Sequence, residues 1–145
     1  MTKTSIAWAT HVWNPVSGCT PCSPACENCY AERLHSKRHI ARLAGKLLPP
    51  QYAKPFSVVQ LLPQRLDAPL HMRAKTPRAR IFVDSMSDLF HPDVPDDFQD
   101  QVFGRVLACP QHDFIVLTKR PCAMRYYFDA TTDNRADAIG SAARN

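Results

Sequence analysis

The chain has 145 residues, a net charge of +5, a pI near 9.0 and 45% hydrophobic residues. That is one domain's worth of chain with enough apolar content for a core, and it excludes a wholly disordered protein. No apolar run approaches the ~20 residues of a membrane helix, and residues 1–8 lack a signal-peptide layout. The expected setting is therefore the cytoplasm, with no membrane partner. The mild basicity permits a nucleic-acid partner without requiring one.

In chain order, His11-Val12-Trp13-Asn14 reads as a short strand stopped by Pro15. Residues 17–28 form a turn-rich loop carrying four cysteines. A helix is expected from Cys29 onward, with Tyr30, Leu34, Ile40 and Leu43 apolar, Arg33, Lys37, Arg38 and Arg42 solvated, and Gly45 as its stop. Residues 46–56 hold three prolines and read as loop. Residues 57–61 read as a strand and 63–70 as a short helix, cut early by Pro69. Arg80–Asp84 is the cleanest strand. Asp93, Pro95, Asp96 and Asp97 then mark a helix start, because acidic groups suit the positive end of a helix dipole. Phe98, Val102, Phe103, Val106 and Leu107 give that helix its apolar stripe, and Pro110 is its limit. Phe114–Leu117 is a further apolar strand.

Two apolar strands flanking a helix over about thirty residues have βαβ spacing. Their lack of alternation suits strands buried on both faces. The predicted class is α/β, with about four parallel strands and intervening helices, like the beginning of a barrel or of an open doubly wound sheet. Residues 1–127 are read as the domain. Residues 128–145 are read as a tail, a frayed Ala-rich helix or disordered, since Asp129–Asn145 has Ile139 as its one large aliphatic residue.

The chemistry concentrates in Cys19, Cys22, Cys26 and Cys29, four of the six cysteines within eleven residues. Without a signal peptide, metal binding is favoured over a disulfide framework. Cys22, Cys26 and Cys29 are spaced by three and two residues; Cys19, Cys26 and Cys29 by six and two. Three thiolates on a 4Fe–4S cluster leave one iron open. S-adenosylmethionine can chelate that iron, and an electron from the cluster then cleaves its sulfonium to release a carbon radical. A three-then-two spacing between a strand and a helix is the radical-SAM pattern. The alternative is zinc in a tetrahedral four-cysteine site, which usually takes two pairs separated by a longer insert. Cys109 and Cys122 read as buried small hydrophobes.

Polar groups after parallel strands are where α/β enzymes place ligands. Ser85, Ser87 and Asp88 thus become candidates for the amino or ribose groups of S-adenosylmethionine, or else a simple helix-entry turn. Lys119 and Arg120 could meet a carboxylate or phosphate, or form a surface pair. Asn14 could line the site or cap its turn. His91, before Pro92, reads as a turn residue.

The segments Trp13–Thr20, Ser23–Glu32, Arg65–Asp67, Ile81–His91 and Leu117–Pro121, matched in order, resemble a phage and prophage family of uncharacterised radical-SAM-like proteins with a three-cysteine motif. The resemblance implies cluster ligands at Cys19, Cys26 and Cys29, with Cys22 where members often carry an aliphatic residue. It also implies a partial radical-SAM-like (β/α) barrel in the cytoplasm of a phage's or prophage's host. The substrate stays unknown, and a zinc-stabilised basic module that binds nucleic acid is the alternative. Family members look longer, with a Gly-Gly-Glu-Ser-Gly-like segment absent here, so the chain resembles their N-terminal half. On that reading it could be an inactive fragment, able to self-associate through an exposed strand edge at Phe114–Leu117.

Overall fold

The computed structural model describes residues 1–72, 78–129 and 133–144, with the side chains of 133 and 134 left aside. It is a mixed α/β fold. The strands are β1 (Thr2–Lys3), β2 (His11–Trp13), β3 (Val16–Ser17), β4 (Gln60–Leu61), β5 (Arg80–Val83) and β6 (Asp113–Val116). The helices are α1 (Tyr30–Leu43), α2 (Asp96–Leu107), α3 (Pro121–Asp129) and α4 (Asp133–Arg144).

The main sheet has the order β1-β2-β5-β6 and is open among the described residues. β2, β5 and β6 run parallel, with Trp13 opposite Val83 and Val83 opposite Val116. β1 joins β2 antiparallel. The sheet therefore differs from the expected four parallel strands. Residues 57–61 contribute only β4, which pairs antiparallel with β3 in a separate ribbon. Pro55 and Pro63 leave little room between them for a longer strand. The helix expected over 63–70 is instead a run of three-residue turns, with each N–H reaching three positions back: Leu66 to Pro63, Ala68 to Arg65, Leu70 to Asp67. Pro69 has no N–H to continue an α-helical ladder.

Other elements fall close to expectation. Cys29 is extended and precedes α1, and Gly45 follows it at φ +86°, a left-handed position that suits glycine. Pro95 precedes α2, whose first turn holds Asp96 and Asp97. α3 starts at Pro121 and was not foreseen. The expected tail is for the most part α4, which lies along α2; residues 130–132 and 145 are outside the described set. Gly104 makes the close approach possible: a Cβ there would sit 2.8 Å from the backbone of Ala142 and Ala143.

The core gathers Trp13, Ile81, Val83, Leu89, Phe98, Val102 and Tyr127 between the sheet and the helices α2 and α3, with Ile139 of α4 packed on it. Phe90, Phe103, Tyr127 and Phe128 form an aromatic cluster at 5.0–6.4 Å between centroids. Cys109 is buried as expected; Cys122 is exposed on the first turn of α3, contrary to expectation. No helix among the described residues is long and apolar enough to cross a membrane.

Candidate metal centre

The cysteine loop departs from β3 through Gly18, whose φ of +96° only glycine adopts freely. The approach is tight, since a Cβ would meet Val58 O at 2.3 Å and Phe56 O at 2.8 Å. The Gly18 N–H donates to Met86 O (3.1 Å) and that of Cys19 to Phe56 O (2.8 Å), so the loop is pinned on both sides by backbone. Pro24–Cys26 forms a single turn, the Cys26 N–H donating to Ser23 O at 2.9 Å. Cys29 then sits at the N-terminal end of α1.

All four loop cysteines line one cavity of about 470 Å³, within the ordinary range for small-molecule sites. It is also lined by Asp84, Ser85, Ser87 and Asp88 after β5, and by Leu117, Thr118 and Lys119 after β6. The cavity therefore lies off the carboxyl ends of parallel strands, where open α/β sheets bind ligands. Phe56 and Phe82 supply apolar surface.

The sulfurs are not equivalent. Cys19 and Cys29 pack against Ala31, Phe56 and Met86. Burial pushes the Cys19 thiol up, opposed by a hydrogen bond and charge from Arg120. Cys22 is exposed, its thiol raised by desolvation, with Sγ 3.5 Å from Lys119 O. Cys26 is lowered to about 7, first by the Cys22 backbone N–H and then by the backbone and hydroxyl of Ser23, all of which favour its thiolate. Among the described residues, no three Cys, His, Asp or Glu side chains converge closely enough to hold a single ion. With Zn–S bonds of about 2.3 Å, a tetrahedral zinc takes its sulfurs about 3.8 Å from one another. A four-iron cubane takes its thiolates at separate corners. Four thiols lining one cavity, one of them favoured as thiolate, are a sulfur-rich donor set of the kind either group uses.

The other sequence candidates divide into two groups. Ser85, Ser87, Asp88 and Lys119 line the cysteine cavity; Asn14 and Arg120 brace it from outside. Asn14 Oδ1 accepts from Ser85 Oγ (3.1 Å) and the Met86 N–H (3.2 Å), tying the end of β2 to the segment after β5. Ser87 Oγ donates to Val16 O at 3.1 Å. Asp88 takes the Thr118 hydroxyl (2.7 Å) and the Phe90 N–H (3.1 Å) on Oδ1, and the Lys119 N–H (3.0 Å) on Oδ2. Lys119 and Arg120 hold loop backbone: Lys119 Nζ donates to Ala25 O (2.5 Å), and Arg120 Nη2 to Thr20 O (2.8 Å). Arg120 Nε is buried without a partner.

A family model described as a protein of unknown function, DUF5131, matches residues 3–143. The chain belongs to the DUF5131 family. No curated protein and no solved structure matches it.

Asp84 and His91 were not among the sequence candidates. Asp84 is the non-glycine residue at positive φ (54°) among those described, and a strained backbone of this kind clusters at functional sites. It is buried. Oδ1 accepts the Val16 N–H at 3.0 Å, Oδ2 has no hydrogen-bond partner, and burial pushes the carboxyl up to about 7. An aspartate ending an apolar strand was the available signal. His91, read as a turn residue, is buried, with Nε2 2.7 Å from Thr20 Oγ1 and Nδ1 accepting the Asp93 N–H at 3.1 Å. An accepting Nδ1 leaves the proton on Nε2, so the neutral ring donates to Thr20 and holds the loop beside Cys19. Burial lowers its pKa, which keeps it neutral.

Proposed function

We propose that this chain is a radical-SAM-like iron–sulfur protein whose cysteine loop binds a 4Fe–4S cluster. The observation that carries the proposal is the common cavity, lined both by four thiols and by the polar ends of β5 and β6. Cys19, Cys26 and Cys29 would hold the cluster, with Cys22 as the alternate third ligand on the solvent side. S-adenosylmethionine would occupy the rest of the cavity against Ser85, Ser87 and Asp88. Bound there, cluster and S-adenosylmethionine would supply a carbon radical by one-electron reduction of the sulfonium.

The chain's own residues have definable tasks in this reading. Gly18 and His91 set the loop's path. Asp88 holds the β6 terminus, which carries Lys119 and Arg120 to the loop backbone. The two cations also place positive charge near an anionic cluster. The parallel strands β2, β5 and β6 are read as the start of a (β/α) barrel. β6 ends the sheet order among the described residues, and the edge it leaves there suits a further strand or self-association.

The test is anaerobic reconstitution with iron and sulfide, followed by metal analysis and absorbance. A brown protein with broad absorbance near ~400 nm and iron in excess of zinc is expected. Losing the colour in Cys26→Ser and Cys29→Ser, and in one of Cys19→Ser or Cys22→Ser, identifies the third ligand. A colourless protein carrying one zinc would sink the proposal and favour a zinc-stabilised basic module that binds nucleic acid.

A further inference from the structure

A second cavity, of about 820 Å³, lies against the first, with Tyr30 and Ser85 lining both. The Tyr30 hydroxyl donates to Ser85 O at 2.5 Å across this shared wall. The second cavity is lined by Lys3, Arg38 and Arg65, and by no Asp or Glu among the described residues. Its neutral polar groups include Asn14, Thr4 and Gln51.

The two arginines come from different elements, α1 and the turns after β4, so only the fold brings them to one cavity. Both are partly buried, and neither pairs with a carboxylate among the described residues. The acidic neighbour in sequence, Asp67, is taken by Arg105 Nε at 2.7 Å. Arg38 is held in place by neutral contacts: its Nη1 donates to the Tyr52 hydroxyl (2.5 Å) and its guanidinium lies 5.2 Å from that ring's centroid. Arg65 Nη1 reaches Asn14 O at 3.3 Å. Each guanidinium has five N–H donors, so most remain available. Paired partly buried charges are the rule, and two uncompensated guanidinium forks in one concave site set a positive potential that a planar or tetrahedral oxyanion complements.

We propose that this cavity binds a small organic oxyanion, a phosphate ester or a carboxylate, through Arg38 and Arg65. The site stands whichever metal the cysteines bind. It would hold the anion one wall away from them, with Tyr30 and Ser85 between.

The test is isothermal titration of the purified chain with inorganic phosphate, adenosine monophosphate and citrate, and with adenosine as the neutral control. At least one anion is expected to bind and adenosine not to. Phosphate and adenosine monophosphate against citrate separates the two oxyanion sources. Arg38→Met and Arg65→Met should each weaken binding at least about tenfold, the scale of one charge-assisted hydrogen bond. Lys37→Met, which removes an exposed charge of α1 outside the cavity, should leave it unchanged. If Arg38→Met loses its circular-dichroism signal because Tyr52 needs the guanidinium, Arg65→Met and Arg38→Lys decide, the latter keeping binding within a few-fold. No binding by any of the three anions, or an equal loss in Lys37→Met, would overturn the proposal.

Discussion

The cysteine-loop end and the α2–α4 side are held by different means. Around the loop, order comes from backbone hydrogen bonds and polar tethers: Gly18 and Cys19 to Met86 and Phe56, Asp88 to Thr118 and Lys119, Lys119 to Ala25, Arg120 to Thr20. Along α2 and α4, order comes from packed side chains and ion pairs. Tyr127 stacks on Phe103, and Arg135 bridges Asp96 (2.7 Å) and Asp100 (3.3 Å) beneath its cation–π contact with Tyr127. A cavity cannot be filled with apolar side chains and still admit a ligand, so its walls have to be fixed from behind. The packed side carries hydrophobic stability and the loop end carries geometry.

The contrast can be broken by substitution, the largest effect coming first. Gly18→Ala combines the left-handed φ with a Cβ 2.3 Å from a carbonyl oxygen. It should cost about 3 kcal/mol or more in urea unfolding, since strain and overpacking add. A cost below about 1 kcal/mol would show that the loop path is not fixed by this turn. Asp88→Ala leaves a hydroxyl and two N–H groups without their acceptor, at about 2–3 kcal/mol. Hydrogen exchange should then rise at Lys119 and across residues 20–26 while α2 stays protected; uniform loss would erase the distinction between the regions.

Gly104→Ala tests the other side. Its Cβ would meet α4 backbone at 2.8 Å, and the resulting clash exceeds the gain in helix propensity. The net cost should be about 1–2 kcal/mol, with exchange rising in α4 and metal binding by the cysteines unchanged. Arg135→Ala should cost about 1 kcal/mol, the scale of a partly screened ion-pair network, and fall with salt.

The Asp84 carboxyl gives the loop end a pH dependence of its own. Its folded pKa, about 7, lies above the unfolded carboxylate's ~4. The folded chain therefore holds the proton more tightly, and this group's contribution is fully present below about pH 4 and declines as pH rises toward 7. Asp84→Asn should flatten the stability–pH curve across that window, as followed by thermal unfolding. An unchanged slope would mean the carboxyl is ionised in the folded state.

Much of the frame was legible beforehand because its signals are local. Pro15, Gly45 and Pro95 punctuate the chain, and Ile81–Val83 and Phe114–Val116 are unbroken apolar runs. The misread segments are those where local signals compete. Residues 57–61 have strand-like side chains but sit between prolines, and 63–70 have helical spacing but two prolines. Asp129–Asn145 left a frayed helix or disorder open; α4 is a helix, and it packs closely because Gly104 lies on the other helix, where no local window could include it.

The cysteine site divides along the same line. Four thiols in eleven residues between a strand and a helix announce a sulfur-rich site by themselves, because the loop brings its own donors together. That polar residues after β5 and β6 belong to the site was readable from their place behind parallel strands, but not which of them line the cavity and which hold its frame. Ser85, Ser87, Asp88 and Lys119 reach the cavity while Asn14 and Arg120 hold its frame, and Asp84 and His91 entered only with the fold. These assignments depend on pairings across 30 to 100 residues, such as Thr118 with Asp88 and Arg120 with Thr20. The sequence determined the donors and the strand–loop–helix setting. Tertiary structure decided the cavity, because its walls are strand ends made neighbours only by the sheet.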